Sequence, residues 1–174
     1  KANYLYGAES YVSGFSGYAI EVLIIYYKSF KNVLKNSLKW KEKTVIDFFN
    51  KLKNPLVELN PSKITSPLIV IDPVDKTRNI TSSSNIKSFE KFKNLAKKYL
   101  EKPSEEFFTE NKKTPKKAIV LKIKPLDGKK DIIGDKLVKV INFIKNQISN
   151  YGFQIKDSNW FWDKEVVFWF VVKE

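Results

Sequence analysis

The chain is organised around the stretch Pro67-Leu-Ile-Val-Ile-Asp-Pro-Val-Asp-Lys-Thr-Arg-Asn79. It opens with the apolar run Leu68 to Ile71, in which β-branched residues dominate, and such a run predicts a buried strand. Asp72-Pro73 ends this strand, because proline has no N–H to donate and moves the preceding residue away from helical geometry. The chain therefore places polar groups directly after a buried and rigid base.

Two carboxylates and one guanidinium follow within this stretch, on Asp72, Asp75 and Arg78. A carboxylate that holds the fork of an arginine in one orientation allows that arginine to receive an anion accurately. We therefore treat Asp72, Asp75 and Asn79 as the turn that supports Arg78. The same spacing is also compatible with two aspartates that only cap turns and an arginine that makes only a surface ion pair.

The composition predicts a folded polypeptide with affinity for polyanions. Of 174 residues, 43% are hydrophobic and 14% aromatic, which favours a packed core over disorder. The net charge of +13 is spread along both halves and favours nucleic acid as a partner, although lysines on solvated faces would give the same charge. The absence of cysteine and histidine excludes disulfides, thiolate metal sites and a hydrolase with a histidine-based site.

The first half is expected to form a small, mainly helical domain over residues 1–88. The patterns predict helices over Gly17 to Lys28, after Ser29, and within Thr44 to Leu52. The turn Gly14-Phe-Ser-Gly-Tyr18 opens the first of them. Its two glycines could cradle a phosphate at the helix start or could serve only close packing, and packing is the favoured interpretation.

The second half, residues 89–174, is expected to begin with a helix and to continue as a ferredoxin-like, RRM-like domain. We expect the following elements: a helix over Ser88 to Lys102, a half-buried strand over Ala118 to Lys124, a helix over Asp135 to Asn150, and strands over Phe153 to Trp162 and Val166 to Lys173. This β-α-β-β order gives an α+β fold class for the whole chain.

The last two strands are rich in aromatic residues, which allows two interpretations. Trp160, Trp162, Phe168, Trp169 and Phe170 could stack on RNA bases. However, the glycine-containing RNP1 pattern is missing, and the last strand is apolar on both faces. This is typical of a central strand covered on both sides, so core packing is favoured.

The central stretch resembles a segment of the archaeal CCA-adding enzymes, the class I tRNA nucleotidyltransferases. Asp72-Pro-Val-Asp-Lys-Thr-Arg-Asn79 matches their Asp-Pro-Val-Asp-x-x-Arg-Asn pattern. Tyr6-Gly-Ala-Glu9 followed by Gly14-Phe-Ser-Gly-Tyr18 is similar to the neck region of the same family, and the two motifs stand in the family's order. The resemblance covers at least Lys1 to Phe108 and, more loosely, Lys116 to Glu174.

This resemblance implies part of an enzyme that adds C, C and A to tRNA 3′ ends from CTP and ATP without a nucleic-acid template. In the family a catalytic head precedes this region and holds Mg²⁺. No Gly-Ser followed by an Asp-x-Asp pair occurs here, so we expect no catalytic residue and no metal ligand in this chain. The Lys start and the lack of Met are typical of an internal fragment, which is expected to be inactive alone.

The resemblance also implies partners and contact residues. Arg78 matches the family arginine that contacts the incoming nucleotide, and Lys1 matches a lysine that reaches its phosphates. Ser10 stands where the family often has a tyrosine, with Tyr11 next to it. The expected nucleotide-binding residues are therefore Lys1, Ser10, Tyr11 and Arg78.

The expected partners are the tRNA acceptor stem and the nucleotides, in the cytoplasm and away from membranes, since no run approaches the ~20 apolar residues of a span. A homodimer of the full enzyme is left open. The alternative of a different class is a stand-alone RNA-binding module with an RRM-like sheet.

Overall fold

The computed structural model describes residues 2–110 and 114–173, and its elements form the α+β arrangement expected from the sequence. Two compact units are present, residues 1–110 and residues 111–174. In chain order the helices and strands are α1 (Gly17–Tyr27), α2 (Phe30–Ser37), β1 (Thr44–Ile46), α3 (Pro55–Glu58), β2 (Leu68–Val70), α4 (Ile86–Glu101), β3 (Ile119–Ile123), α5 (Lys130–Asn150), β4 (Ile155–Trp162) and β5 (Val166–Val172). Short 3-10 helices span Pro61–Lys63 and Glu105–Phe108.

The core of the first unit is built around the buried indole of Trp40. Its ring stacks on those of Phe89 and Phe92 in α4, with centroids 6.3 and 5.9 Å away and interplanar angles of 18° and 14°. The indole N–H donates to the Tyr27 hydroxyl at 3.1 Å, which satisfies the polar group of this buried side chain. Three of the helices are thereby held around one aromatic stack, together with Ala19, Leu23 and Val33.

A two-stranded parallel sheet carries the central stretch of the sequence. β1 pairs with β2 in the register Thr44↔Leu68 and Ile46↔Val70, and β2 is fully buried as predicted. The helix expected within Thr44 to Leu52 is wrong, because this segment begins as β1. Thr44, Val45 and Ile46 are all β-branched, so they favour extended backbone once a partner strand lies beside them.

Helix α4 belongs to the first unit. Its buried residues Phe89 and Ala96 lie on the side that packs on α2 and Trp40. The expected domain boundary between residues 88 and 89 therefore falls inside this helix, whereas the compact units divide after Glu110.

The second unit has the β-α-β-β order predicted from the sequence. Its sheet has the strand order β3-β5-β4 and is antiparallel throughout, with α5 packed on one face. The half-buried strand expected over Ala118 to Lys124 is wrong in its burial, since Ile119 is 51% and Leu121 38% exposed. β3 lies at the sheet edge, whereas the fully buried strand residues of the core shared with α5, Val166, Phe168 and Phe170, come from the central strand β5.

Over residues 2–110 and 114–173, none of the helices is long and apolar enough to cross a membrane.

Candidate functional site

The loop between Asp72 and Arg78 is closed by backbone hydrogen bonds at both ends. The Asp72 N–H donates to the Arg78 carbonyl at 3.0 Å, and the Arg78 N–H donates to the Asp75 carbonyl at 3.0 Å. Directly behind them, Ile71 and Asn79 form an antiparallel bridge that extends the fully buried strand β2. The sequence places its charged groups on a short loop whose two ends are fixed to the core.

The Asp72 carboxylate is the centre of this loop. Its Oδ1 accepts the Tyr18 hydroxyl at 2.9 Å and the Val74 N–H at 2.8 Å. Its Oδ2 lies 3.6 Å from Nη1 of Arg78, and the Asp72 side chain is only 3% exposed. The carboxylate is therefore shared between a turn, a helix and the arginine.

The environment keeps Asp72 ionised and Tyr18 protonated at neutral pH. Burial raises the pKa of Asp72, but hydrogen bonds from the Val74 amide, the Tyr18 hydroxyl and the Asp75 amide, with the charge of Arg78, outweigh it and lower the pKa overall. The hydrogen bond to Asp72 raises the pKa of Tyr18, and burial and the negative charge of Asp72 act in the same direction. In the hydrogen bond between them, Tyr18 is therefore the donor and Asp72 the acceptor.

Asp75 caps a turn. Its Oδ1 accepts the Thr77 N–H at 2.9 Å and the Thr77 hydroxyl at 2.7 Å, and these two bonds are the main cause of its lowered pKa. Lys51 donates its ammonium to the Pro73 carbonyl on the other side of the loop. Asp75 therefore shapes the backbone that leads to Arg78.

Arg78 presents its guanidinium to solvent. Its side chain is 62% exposed while its partner Asp72 is buried, so one edge of the fork faces the carboxylate and the rest stays accessible. An ion pair this exposed adds little to stability. What it supplies is orientation of a cation that can bind a phosphate or a base edge.

Asn79 holds the backbone behind Arg78 and has no capacity left for a ligand. Its Oδ1 accepts the N–H groups of Val70 and Thr81, each at 3.0 Å. Its Nδ2 donates to the Lys63 carbonyl and to the Ser66 hydroxyl, each at 2.8 Å. This buried amide joins β2, the preceding 3-10 helix and the segment after the loop.

Gly14, which precedes α1, and Gly17, its first residue, allow close packing, which is the interpretation favoured from the sequence. A β-carbon on Gly14 would lie 2.4 Å from the Leu5 carbonyl oxygen, and the Gly14 N–H already donates to the Gly7 carbonyl. A β-carbon on Gly17 would lie 2.8 Å from the Tyr6 hydroxyl. Ser16 caps the helix by accepting the Ala19 N–H at 3.1 Å.

Ser10 and Tyr11 lie on a separate surface turn. The N–H groups of Val12 and Ser13 close this turn on the Glu9 carbonyl at 2.9 and 2.8 Å. Ser10 is exposed and Tyr11 half-buried. Lys1 lies outside the described residues, so its expected role stays a prediction.

Tyr18 is the site residue that sequence reasoning missed. It follows Gly17 in the motif already singled out, and this position was the available signal. Its connection to Asp72 spans 54 residues and could not be read from local spacing.

The aromatic residues of the second unit do not form an exposed stacking surface. Phe168 and Phe170 are fully buried against α5, and Trp160 packs on Phe168 with centroids 6.0 Å apart. Core packing is confirmed for this strand, and the alternative of a stacking platform is wrong for Phe168 and Phe170.

An apolar cavity of about 360 Å³ in the first unit is lined by residues that include Phe15, Phe30, Phe92 and Tyr99, and none of the described residues that line it carries a charged side chain. Residues 2–110 and 114–173 contain no group of three or more acidic residues that could hold a metal ion. The described lining of the cavity thus lacks a charge that could bind an anion, whereas Arg78 presents an exposed guanidinium.

A family model described as the second domain of tRNA nucleotidyltransferase matches residues 1–109. Among curated proteins the chain is similar to the CCA-adding enzyme of Nanoarchaeum equitans, with 39% identity over 90% of this chain and 42% of that protein. The CCA-adding enzyme of Saccharolobus islandicus is 40% identical over 88% of this chain and 36% of its own length. That of Sulfurisphaera tokodaii is 42% identical over 92% of this chain and 38% of its own length. The chain spans about two fifths of the length of these relatives.

Proposed function

Because the chain belongs to the tRNA nucleotidyltransferase family, we propose that it is part of an enzyme that adds CCA to tRNA 3′ ends from CTP and ATP. In this proposal the described units supply one wall of the nucleotide pocket and a basic surface for the acceptor stem. The proposed nucleotide pocket is supported by one observation: the accessible guanidinium of Arg78 is held by a buried carboxylate.

The proposal assigns different roles to the residues expected to bind nucleotide. Arg78 contacts the incoming nucleotide directly, and Asp72, Asp75 and Asn79 fix the loop behind it. Lys1, Ser10 and Tyr11 remain proposed nucleotide contacts on the strength of the family resemblance. The full enzyme works in the cytoplasm, and its assembly as a homodimer is left open.

Magnesium is proposed to be held outside this chain. The described residues do not offer a ligand set that fits it. The 174-residue chain is therefore expected to incorporate no CMP or AMP into tRNA when incubated with Mg²⁺ and radiolabelled CTP or ATP. Turnover by the purified chain would contradict this part of the proposal.

The test of the proposed role of Arg78 is Arg78→Ala in the full-length enzyme. We expect the KM for CTP and ATP to rise about tenfold or more, because a charge-assisted contact to the nucleotide is lost. The dissociation constant for tRNA should change much less. Steady-state kinetics with a tRNA lacking its terminal CCA, and tRNA binding measured separately, give both values.

The matched control is Lys76→Ala, which removes the same charge from an exposed side chain of the same loop. If the two substitutions had equal effects, Arg78 would act only through the general positive electrostatic field of the protein and not through a specific contact. A loss of tRNA affinity larger than the rise in nucleotide KM would make Arg78 an RNA backbone contact.

A further inference from the structure

The hydroxyl of Tyr18 connects the two segments of the sequence that form the candidate site. Tyr18 lies in the first turn of α1, after the glycine-containing turn, and Asp72 follows β2. Their hydrogen bond is 2.9 Å long and joins residues 54 positions apart. It ties a helix of the core to the loop that carries Arg78.

The two oxygens of the Asp72 carboxylate have different partners. Oδ1 receives hydrogen bonds from Tyr18 and from the Val74 N–H, which belong to different elements. Two donors from separate directions fix the plane of the carboxylate and point Oδ2 at Nη1 of Arg78. The orientation of Oδ2 is thus set by groups that do not contact the arginine.

Without the Tyr18 hydroxyl the carboxylate loses its donor from α1 and keeps the amides of Val74 and Asp75. Val74 is only two residues from Asp72 and belongs to the same loop, whereas the Tyr18 bond comes from α1. The carboxylate would then turn about its side-chain torsions or accept water in place of the phenol. The exposed guanidinium of Arg78 would follow the carboxylate that orients it.

We propose that Tyr18 is a positioning residue for Arg78, which it holds in the nucleotide-binding orientation through the buried carboxylate of Asp72. The inference rests on the proposed contact of Arg78 with the nucleotide. Tyr18 itself contacts Asp72 and need not touch the nucleotide.

The test is Tyr18→Phe in the full-length enzyme, alone and combined with Arg78→Ala. We expect Tyr18→Phe to raise the KM for CTP and ATP about threefold to tenfold, with a smaller change in kcat, because one hydrogen bond to a charged group is lost. In the Arg78→Ala background the same substitution should have no further effect on KM. Non-additivity is the readout that a merely structural role would not produce.

The matched control is Tyr26→Phe. Tyr26 lies on the same helix and is 38% exposed, against 40% for Tyr18, so the two substitutions remove the same group from similarly exposed positions. Tyr26→Phe should leave KM unchanged. Melting temperatures of all variants separate loss of folding from loss of orientation, and Asp72→Asn is a second variant that breaks the same link and should also lose its effect on KM in the Arg78→Ala background.

The outcomes separate the two proposals. If Arg78→Ala raises the nucleotide KM while Tyr18→Phe behaves like Tyr26→Phe, the positioning role is overturned and the proposed function stands. The same holds if the effects of Tyr18→Phe and Arg78→Ala add fully. If Arg78→Ala leaves KM unchanged, the contact of Arg78 with the nucleotide is overturned, and the positioning role with it.

Discussion

At the scale of single residues, the site depends on buried polar groups that are fully paired. Asn79 uses its amide on four partners, and Asp72 receives a hydroxyl, backbone amides and a guanidinium. Such groups stabilise a fold when every partner is present and destabilise it when one is removed. Substitutions here should therefore be costly even though no large apolar surface is lost.

Asn79→Ala should lower the free energy of unfolding of the first unit by about 2–4 kcal/mol, because it leaves the buried N–H groups of Val70 and Thr81 without their acceptor. Chemical denaturation of the 174-residue chain measures this change. Asn94→Ala, on the exposed side of α4, is the control and should stay within about 0.5 kcal/mol of the parent. A similar loss in both variants would contradict the role given to Asn79.

Acid should destabilise the loop through Asp72. Its pKa in the folded protein lies below that of an aspartate in the unfolded chain, which is about 3.9, so ionised Asp72 contributes stability above that pH, and the contribution is lost as the pH falls through the folded pKa. The gap in unfolding free energy between the parent and Asp72→Asn should therefore narrow below about pH 4. Denaturation at several pH values between 3 and 7 measures this gap.

Asp127→Asn is the control substitution, because Asp127 is exposed in the loop before α5. At neutral pH its free energy of unfolding should stay within about 0.5 kcal/mol of that of the parent. A constant gap for Asp72→Asn across the whole range would mean that ionisation of Asp72 does not contribute to stability.

At the scale of elements, the segment before α1 depends on two backbones that run in van der Waals contact. Phe15 donates its N–H to the Leu5 carbonyl and accepts the Gly7 N–H, at 2.8 and 2.9 Å, and the neighbouring Gly14 donates to the Gly7 carbonyl at 3.1 Å. There is no room for a side chain at this position. The placement of Tyr18 at the loop depends on this packing.

Gly14→Ala should destabilise the first unit by at least about 2 kcal/mol, because the obstructing atom is a backbone carbonyl that cannot move without breaking its hydrogen bond. Gly17→Ala is the comparison, since its obstructing atom is the end of the Tyr6 side chain, and it should cost less than about 1 kcal/mol. Thermal unfolding of both variants shows which substitution lowers the stability more. The reverse order would show that the contact at Gly14 is not tight.

The elements that could be predicted from the sequence are those encoded locally. The run before Asp72 and the β-α-β-β order of the second unit follow from β-branched content and hydrophobic period. β1 was missed because its extended form depends on a parallel partner more than twenty residues away. The exposure of β3 was missed because alternation along a strand does not reveal that the strand lies at a sheet edge. The hydrogen bond between Tyr18 and Asp72 was also missed, because local patterns do not reveal contacts between distant residues.

At the scale of the whole molecule, the net charge of +13 is the feature that should govern association with tRNA. Binding of a tRNA acceptor minihelix to the 174-residue chain should weaken about a hundredfold between 50 and 200 mM salt, because lysine contacts to phosphate release counterions. Fluorescence anisotropy over a salt series measures the slope. Absence of binding even at low salt would mean that the lysines form an ordinary solvated surface.

A DNA hairpin of the same sequence is the control for this measurement. An acceptor-stem surface should bind the RNA minihelix more tightly than the DNA hairpin at equal salt, because the two duplexes differ in groove shape and in the 2′-hydroxyl. Equal affinity would assign the binding to the electrostatic field alone.

The aromatic stack around Trp40 allows unfolding of the first unit to be followed by intrinsic tryptophan fluorescence. Trp40 is the tryptophan of that unit, while Trp160, Trp162 and Trp169 belong to the second. An indole enclosed by two phenyl rings emits at shorter wavelength than one in water. With the other three tryptophans replaced by phenylalanine, the emission maximum would report the melting of the first unit alone, without any attached dye.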